Sequence, residues 1–380
     1  MIAAVKAIAA RESRFADDLI LFLHNRYRTT GGEERAVEEL MTLVREELNE
    51  DAELLERDSS RLSRSRAARG LLSGGLDPEE VAGAVRRTGA RIVHAHNLHP
   101  SFGARALEAA RDAGARTVLH LHNYRLVCAV GTCFNSRGED CTRCHGRNTA
   151  PGVRLNCRGN HAEALTYAVA LAAHRPAADA FVVPSQAAAD RLRDLGAPAD
   201  DFHVVGHVVR EFAERSTADQ GTYALVASRL APEKGIEVAI DACRIAGVDL
   251  VVAGDGPHPL PRDGARFVGR VDRVELERLR AGAALAIVPS RSHETYGLAA
   301  VEAMAAGVPV VASNIGALAA IVDEDGLVPP NDPHALADAI RRRFGHSATG
   351  TRSIDAAKQL AAPGVVAAQL QAAYEAAAIT

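Results

Sequence analysis

Residues 284–313 read ALAIVPSRSHETYGLAAVEAMAAGVPVVAS, and this stretch decides the fold class of the chain. The apolar run at 284–288 is typical of a buried strand, and the small apolar residues at 297–306 predict a helix. Gly307 ends that helix, because glycine is the preferred residue just past a helix end. A second apolar run at 308–312 completes a strand–helix–strand unit, which is the building block of a parallel sheet covered by helices.

Two carboxylates lie eight positions apart in this unit, with Glu294 in the turn before the helix and Glu302 inside it. A turn between a strand and a helix lies at the carboxyl edge of a parallel sheet, where α/β folds bind ligands. The backbone amides of residues 295–298 open the helix without helical partners, so they suit phosphate or hydroxyl oxygens. The spacing alone is weak evidence, because pairs of acidic residues eight apart arise by chance among 48.

The whole stretch resembles the E-x7-E signature of retaining glycosyltransferases of family 4, which have the GT-B fold, and the resemblance covers residues 18–345. It implies an α/β protein with two doubly wound, Rossmann-like domains facing each other across a cleft. It also implies transfer of a hexose from a UDP- or GDP-sugar to an acceptor hydroxyl, with retention of anomeric configuration. Polysaccharide, cell-envelope or natural-product glycosylation is the setting that the resemblance suggests.

Size and composition agree with a two-domain globular protein. The chain has 380 residues, more than one domain usually contains, and its formal net charge of −4 gives no support for nucleic-acid binding. No apolar run approaches the roughly 20 residues that span a membrane. Residues 1–16 lack the apolar core of a secretory signal and predict an amphipathic helical extension. We therefore expect a cytoplasmic enzyme, with peripheral contact at the inner face of the membrane left open.

Strand and helix patterns alternate in two series, which join near residue 210. Segment 55–80 is polar and contains three glycines, which predicts an irregular surface segment. The predicted strands cover residues 18–24, 91–94, 117–122, 180–183, 202–205, 223–227, 248–253, 266–268, 284–288 and 308–312. The domains expected from the resemblance are an acceptor-side domain at 1–208, a nucleotide-sugar domain at 209–362, and a helix at 363–380 that crosses back to the first domain.

A strand-to-helix turn opens the second series, where residues 227–235 read ASRLAPEKG. Arg229 offers a guanidinium fork and Lys234 a point charge at a helix start, which a diphosphate leaving group needs. An ordinary helix-start turn is the alternative interpretation. The stretch resembles the family's G-R-x4-K-G string, with Ala227 and Ser228 in place of the usual glycine before the arginine.

Two further segments of the second series resemble donor-binding parts of the family. Residues 254–257, with Gly254 and Gly256, resemble its G-x-G-P loop, although a tight turn after a strand explains them equally well. Residues 267–270, which include Val268, resemble a segment whose backbone lies near the nucleobase.

The first series carries a glycine pair and several histidines after its strands. The turn at Gly31 and Gly32 resembles the family's glycine-rich loop after the first strand, where glycines let backbone amides approach the donor phosphate or the acceptor closely, with a plain turn as the alternative. His122 opens the string HNYRLVC, which matches a subgroup of the family and implies a histidine lining the cleft near the transferred sugar. The cluster of His94, His96 and His99 is expected on the acceptor side of the rim, with metal binding a poorer alternative.

Five cysteines lie between residues 128 and 157, and Cys243 stands apart. The spacing Cys141-x2-Cys144 is that of a metal knuckle, and two outlying cysteines would complete a four-thiolate zinc site. Reduced buried thiols are the alternative. The subgroup resemblance favours a structural zinc held by Cys128, Cys141, Cys144 and Cys157, with Cys133 left over.

The resemblance implies that the leaving diphosphate helps to deprotonate the acceptor, so that catalysis depends on stabilising that diphosphate. Glu294 then holds the sugar hydroxyls and Glu302 the ribose hydroxyls, and no catalytic metal is expected. The alternatives are a sugar-nucleotide 2-epimerase of the same fold and a non-catalytic binding subunit. The residues expected to act in transfer are His122, Arg229, Lys234 and Glu294, and those expected to bind the donor are Gly31, Gly32, Gly254, Gly256, Val268, Thr295, Tyr296, Gly297, Leu298 and Glu302.

Overall fold

Parallel strands form two separate six-stranded sheets in the computed structural model, which describes residues 19–26, 32–199, 201–261 and 263–379. The first sheet has the strand order β2-β1-β3-β4-β5-β6. Its strands are β1 (Ile20–Arg26), β2 (Ala52–Asp58), β3 (Ile92–Ala95), β4 (Arg116–His120), β5 (Ala180–Val183) and β6 (His203–Val204). The described helices that connect them are α1 (Gly32–Glu47), α2 (Arg64–Leu72), α3 (Pro78–Thr88), α4 (Gly103–Asp112), α5 (Ala150–Arg154), α6 (His161–Ala173) and α7 (Gln186–Asp194).

The second sheet has the order β12-β11-β10-β7-β8-β9, and its ladders are parallel as well. Its strands are β7 (Tyr223–Ala227), β8 (Leu250–Ala253), β9 (Arg266–Gly269), β10 (Ala283–Val288), β11 (Val310–Ser313) and β12 (Leu327–Val328). The helices of this half are α8 (Ile236–Ala246), α9 (Arg273–Ala281), α10 (Leu298–Ala305), α11 (Leu318–Ile321), α12 (Pro333–Arg343), α13 (Ser347–Ala361) and α14 (Pro363–Ile379). Both sheets are therefore doubly wound α/β layers, and the predicted organisation in two Rossmann-like halves is confirmed.

Each sheet has a hydrophobic core on both faces, because successive strand residues point to opposite sides. Leu21 and Leu23 of β1 enter one core of the first sheet, whereas Ile20 and Phe22 enter the other. Strands that are buried on both faces read as continuous apolar runs, which is why the sequence pattern located them.

The final helix, α14, packs against the first sheet although it follows the second sheet in the chain. Val366, Leu370 and Tyr374 are buried in the same core as Ile20 and Phe22. The C-terminal helix α14 therefore packs against the first half of the chain. The domain limits at residues 208 and 362 stay predictions.

The strand predictions agree with the structure within a few residues at each end, but the interpretation of segment 55–80 as irregular is wrong. That segment contains the end of β2, all of α2 and the beginning of α3. β2 is an edge strand with mostly half-buried side chains, so it lacks the continuous apolar run of an inner strand. The helix predicted for residues 1–16 lies outside the described residues. Among the helices that are described, none is long and apolar enough to cross a membrane.

We predict that Leu370→Ala lowers the free energy of unfolding by about 2–5 kcal/mol, because it opens a cavity in the core that α14 completes. Urea unfolding followed by circular dichroism measures the change. Gln371→Ala is the matched control, since Gln371 is exposed on the same helix and its removal changes little. An unchanged unfolding curve for Leu370→Ala would contradict the packing of α14 on this core.

Candidate active site in the cleft

A cleft of ≈ 1260 Å³ is lined by residues that follow strands of both sheets. His122 and Asn123 come from the loop after β4, while Ser228 and Ser290 come from the loops after β7 and β10. The carboxyl ends of parallel strands are the usual ligand-binding edge of α/β folds. The cleft therefore joins motifs that are far apart in the sequence.

Lys234 and Glu294 form an ion pair at the floor of the cleft. The Lys234 ammonium donates to Glu294 Oε1 at 2.5 Å, and the Ser290 hydroxyl donates to the same oxygen at 2.6 Å. Both charged side chains line the cleft and are largely buried. The pair places one cation and one carboxylate side by side, which suits a ligand with both an anionic and a hydroxyl-bearing part.

The pKa of the Glu294 carboxyl lies below its usual value despite its position in the interior. Burial by itself would raise this pKa, but the Lys234 charge, the hydrogen bonds from Lys234 and Ser290, and the Arg229 charge outweigh that effect. Glu294 is therefore an anion at neutral pH and accepts hydrogen bonds. A group held in this state is suited to binding hydroxyl groups.

Arg229 lies at the solvent end of the same wall of the cleft. Its guanidinium donates to Glu233 Oε1 at 3.1 Å, and its side chain is more than half exposed. An exposed pair of this kind contributes little stability. The arginine can therefore exchange Glu233 for an incoming phosphate at low cost.

The loop between β10 and α10 contacts the cysteine-bearing loop of the first half. The His293 amide donates to Asp140 at 3.2 Å, and His293 Nδ1 bonds with the Tyr124 hydroxyl at 2.8 Å. Arg291 donates to the carbonyl of Gly138 at 3.0 Å. Residues next to Glu294 are thus anchored on the first half of the chain.

Thr295 and Tyr296 extend this junction between the two halves. The Thr295 hydroxyl donates to the carbonyl of His122 at 3.1 Å, and its own carbonyl accepts from the Ser185 hydroxyl at 2.6 Å. The Tyr296 hydroxyl donates to the carbonyl of His207 at 3.3 Å. These bonds fix the loop from which α10 begins.

The first turn of α10 faces the cleft. Gly297 precedes the helix with φ of +83°, a value that favours glycine, and residues 295–299 line the cavity. The amides of Ala300 and Val301 bond to the Gly297 carbonyl, whereas those of Leu298 and Ala299 lie at the helix start, where a helix has no carbonyl to offer. The predicted anion-ready helix start therefore lies beside Glu294.

Glu302 reaches the cleft from the second turn of α10 and bonds with two arginines. Arg280 of α9 donates to Oε2, and Arg35 of α1 donates to Oε1 at 2.6 Å across the cleft. Arg280 and Glu302 are both buried, so each compensates the charge of the other. The sequence analysis identified Glu302 but missed both arginines, because nothing local to either one points to a partner.

His122 lies at the cleft with its ring stacked between two other imidazoles. Its Nε2 bonds with His96 Nδ1 at 2.8 Å, and its ring centroid is 4.2 Å from that of His120 and 5.6 Å from that of His207. Burial, followed by the proximity of His207, holds the pKa of His122 well below its usual value. The ring is therefore neutral, and among the described groups its buried Nδ1 has no partner.

His94, His96 and His120 form a buried stack behind His122. Within the described parts of the chain, this trio is the one group of three or more His, Cys, Asp or Glu side chains whose ligand atoms lie within 4.8 Å of one another. Their rings are inclined by only 9–29°, so the lone pairs run side by side instead of converging on one point. Burial also lowers the pKa of His94 to about 3. The stack is therefore best described as neutral packed imidazoles, and only His99 of the predicted rim cluster lines the cleft.

Three of the predicted donor-binding residues do not line the cleft, namely Gly254, Gly256 and Val268. A Cβ at Gly254 would lie 1.8 Å from the Ser228 carbonyl oxygen, so glycine is required for the close passage of two chain segments. Val268 is half-buried against the core of the second sheet. Gly31 lies outside the described residues, whereas Gly32 lines the cleft at the start of α1.

The wall that the first half of the chain contributes to the cleft contains polar groups that the sequence analysis did not single out. Arg64, Arg125 and Arg158 line the cleft there, together with Tyr167. The Arg158 guanidinium lies over the Tyr167 ring at 4.8 Å and also pairs with Glu163. The clustering of arginines in two short segments was the available signal, but it does not reveal that the segments adjoin.

The five clustered cysteines surround one small cavity beside the cleft. Their thiols do not point to one common metal position, since no three of these described sulfur atoms lie within 4.8 Å of one another. A hydrogen bond from Cys133 lowers the pKa of Cys128 to about 6. The loop they belong to carries Asp140 and Gly138, which contact the loop before α10.

Two family models match the two halves of the chain. The model described as "Glycosyl transferase 4-like domain" matches residues 31–207, and "Glycosyl transferases group 1" matches residues 221–345. The first match contains β2 to β6 of the first sheet, whose β1 precedes it, and the second match contains all six strands of the second sheet; each match contains one wall of the cleft.

Similar curated proteins align with parts of the chain. An exopolysaccharide phosphotransferase of Streptomyces coelicolor is 35% identical over 191 residues, which are 46% of this chain and 20% of the relative. A GDP-mannose-dependent α-(1-6)-phosphatidylinositol dimannoside mannosyltransferase of Mycobacterium tuberculosis is 41% identical over 128 residues, 30% of this chain and 33% of the relative. The chain thus spans less than half the length of these relatives.

Solved structures share the fold over nearly the whole chain. A sucrose-phosphate synthase of Thermosynechococcus elongatus superposes with a TM-score of 0.68 at 18% identity, covering 94% of this chain and 98% of that one. An Anabaena protein in complex with UDP-glucose superposes with a TM-score of 0.61 at 18% identity, covering 94% and 99%.

We predict that Glu302→Gln lowers the free energy of unfolding by about 3–5 kcal/mol, because it leaves the buried Arg280 without its counter-charge. Arg35→Gln removes only the pair across the cleft, whose arginine is 40% exposed, and we expect a loss of about 0–1 kcal/mol. Denaturant unfolding of both variants without ligand measures the difference. Equal losses would contradict the assignment of Arg280 as the principal partner.

Proposed function

The chain belongs to the glycosyltransferases of the GT-B fold, family 4, and on that premise we propose that it transfers a hexose from a nucleotide diphosphate sugar to an acceptor hydroxyl. The observation that carries the proposal is the Lys234–Glu294 pair beside the start of α10, in a cleft between two Rossmann-like sheets. The division into an acceptor-side domain at 1–208, a donor domain at 209–362 and a returning helix at 363–380 belongs to the same proposal.

Stabilisation of the departing diphosphate is the main chemical task of this site. Lys234 and Arg229 line one wall and supply two positive charges, and the amides at the start of α10 supply donors of fixed direction. Negative charge grows on the diphosphate as the glycosidic bond breaks. Groups that are already held in place stabilise that charge without reorganising.

The two glutamates position the donor in this proposal. Glu294 is anionic and reaches the sugar hydroxyls beside the diphosphate, while Glu302 accepts the ribose hydroxyls. Each Glu302 oxygen already accepts from one arginine, and a carboxylate oxygen offers about two lone pairs, so a hydroxyl can be added to either.

Retention of configuration follows from attack on the same face that the diphosphate leaves. Double displacement would need a free carboxylate beneath the anomeric carbon, as in retaining glycosidases. Glu294 is engaged by Lys234 and Ser290, which suits it to binding and not to nucleophilic attack. His122 is neutral and lines the cleft, so its ring contacts the sugar without adding charge.

The donor carries UDP or GDP, and the acceptor is a hydroxyl-bearing saccharide or lipid of polysaccharide, cell-envelope or natural-product synthesis. The GDP-mannose-dependent relative supports a GDP-sugar as the donor. The fold neighbour that was solved with UDP-glucose supports a UDP-sugar. The 2-epimerase alternative has no observation in its favour. No step in this proposal uses a metal ion.

A structural zinc ion in the cysteine loop is a further part of the proposal. Cys128, Cys141, Cys144 and Cys157 line one cavity, and thiolates are preferred zinc ligands. The sulfur atoms would have to draw closer to share an ion. Zinc would cross-link the loop that carries Asp140 and so support the loop before α10.

We predict that Lys234→Ala weakens UDP or GDP binding roughly tenfold or more, because a hydrogen bond to a charged group contributes about 1.5–3 kcal/mol. A thermal-shift screen of nucleotide sugars selects the donor, and calorimetry measures nucleotide affinity. Slow hydrolysis of that donor, followed over hours as release of UDP or GDP, measures turnover without an acceptor.

Lys358→Ala is the control for this experiment, since Lys358 lies on α13 away from the cleft lining. We expect it to bind and release nucleotide like the unmodified protein. A Lys234→Ala protein that is folded and keeps full nucleotide affinity and turnover would refute the proposed donor site.

We predict that the purified protein contains about one zinc ion per chain and that Cys144→Ser loses it, since four thiolates complete such a site. Elemental analysis by mass spectrometry measures the content. Cys243→Ser is the control, because Cys243 is buried in the other half of the chain. A metal-free protein from zinc-supplemented medium, with five clustered thiols open to alkylation after unfolding, would contradict the site.

A further inference from the structure

Two segments of the first half carry strong positive charge in a chain whose net charge is −4. Residues 59–76 contain four arginines and no acidic residue, and residues 141–162 again contain four arginines and no acidic residue. Neither segment is basic enough to stand out alone. Their effect depends on whether they share one surface.

The fold brings these two segments together. Helix α2 of the first segment packs against α6, and α5 of the second segment packs against α6 as well. The exposed arginines of these segments are Arg61, Arg64, Arg66 and Arg69 from the first and Arg143, Arg147 and Arg154 from the second. The result is one basic face, which we define by α2, α5, α6 and the loop 141–149.

Aliphatic side chains are exposed in the middle of this basic face. Leu72 is 47% exposed, Leu165 56% and Val169 50%, so three of the six exposed large hydrophobic side chains of the described residues lie here. Leu165 and Val169 are four residues apart and share one side of α6. The Leu72 carbonyl bonds with His174, just after α6, at 2.8 Å, which places Leu72 at the end of the same helix.

Acidic groups offset only part of the charge of the face. Glu163 is the one acidic residue of α6, and Arg158 neutralises it through an ion pair of 2.5 Å. Helix α2 contains no acidic residue, and Arg66 has a loose contact of 3.4 Å with Asp77. Arg61 has a similar contact of 3.5 Å with Asp58, so three acidic residues face the eight arginines of the two segments and the face keeps a net positive charge.

We propose that this basic face docks the protein on an anionic lipid bilayer. Arginines near a bilayer attract its negatively charged headgroups, and aliphatic side chains enter the boundary between headgroups and acyl chains. A nucleic acid or an acidic polysaccharide would match the arginines but gives no reason to expose Leu165 and Val169. A second copy of the chain would match the aliphatic side chains but would bring two basic faces together.

Docking in this way presents the cleft to the membrane. Arg64, Ala67 and Leu71 of α2 and Ala162 and Thr166 of α6 line the cleft from the helices that form the docking face. Given the proposed transferase function, on which this step rests, the acceptor is a hydroxyl-bearing lipid of the same membrane. The docking itself does not depend on that function.

Sedimentation with vesicles tests the proposal on the full chain. We expect binding to vesicles of equal parts phosphatidylglycerol and phosphatidylcholine, at least tenfold weaker binding to phosphatidylcholine alone, and loss of the difference in 0.5 M salt as charges are screened. The variant Arg66→Gln/Arg69→Gln should bind the anionic vesicles about 10–30-fold more weakly. Leu165→Ser/Val169→Ser should bind them about tenfold more weakly, because the aliphatic contact is lost.

Matched controls come from exposed positions of the second half. Arg278→Gln/Arg342→Gln removes two exposed arginines, and Val274→Ser removes a valine that is 58% exposed, so both should bind vesicles like the unmodified protein. Neither the four altered docking residues nor the controls line the cleft. Binding of UDP and GDP should therefore be unchanged in all variants, and a failure of docking is distinguishable from a failure of the donor site.

Three results would overturn the docking proposal. The first is equal binding to neutral and anionic vesicles. The second is unchanged vesicle binding by Leu165→Ser/Val169→Ser, which would indicate a polyanion other than a bilayer. The third is a change from dimer to monomer, measured by analytical ultracentrifugation, when Leu165 and Val169 are replaced by serine while vesicle binding stays the same. That result would assign the face to a second copy of the chain.

Discussion

The loop between β10 and α10 is the constraint on which the rest of the cleft depends. Glu294 is held there by Lys234 and Ser290 within the second half of the chain, while the adjacent Thr295 and Tyr296 bond to the first half. One short segment therefore orients the Glu294 carboxylate and joins the two sheets. Any change in the separation of the sheets therefore also changes the surroundings of the Lys234–Glu294 ion pair.

Charge is distributed unequally between the two walls near this loop. The imidazoles of His94, His120 and His122 are buried in a stack, and burial keeps them neutral. Positive charge for an anionic ligand comes instead from Lys234 and Arg229 on the opposite wall. In the proposed function, the neutral ring of His122 therefore leaves the diphosphate to Lys234 and Arg229 of the second half.

Part of this arrangement was predictable because it is local. Strands buried on both faces give apolar runs, and the strand–turn–helix order places Glu294 and the start of α10 at a sheet edge. Segment 55–80 was misread because β2 is a half-exposed edge strand and its pattern carries little information. Gly254 was interpreted equally as a turn or as a donor contact, and the close approach to Ser228 that explains it involves a separate strand.

The sequence by itself determined the class of fold and the two-part organisation, since both follow from apolar patterns that repeat along the chain, and it singled out Lys234, Glu294 and Glu302, which line one cleft. Only the tertiary structure decided which charges pair, as Arg35 and Glu302 are separated by 267 positions. It also joined two arginine-rich segments into one basic face around Leu165 and Val169. The physical reason is that ion pairs and surfaces depend on distance in space, and local patterning does not encode which distant segments become neighbours.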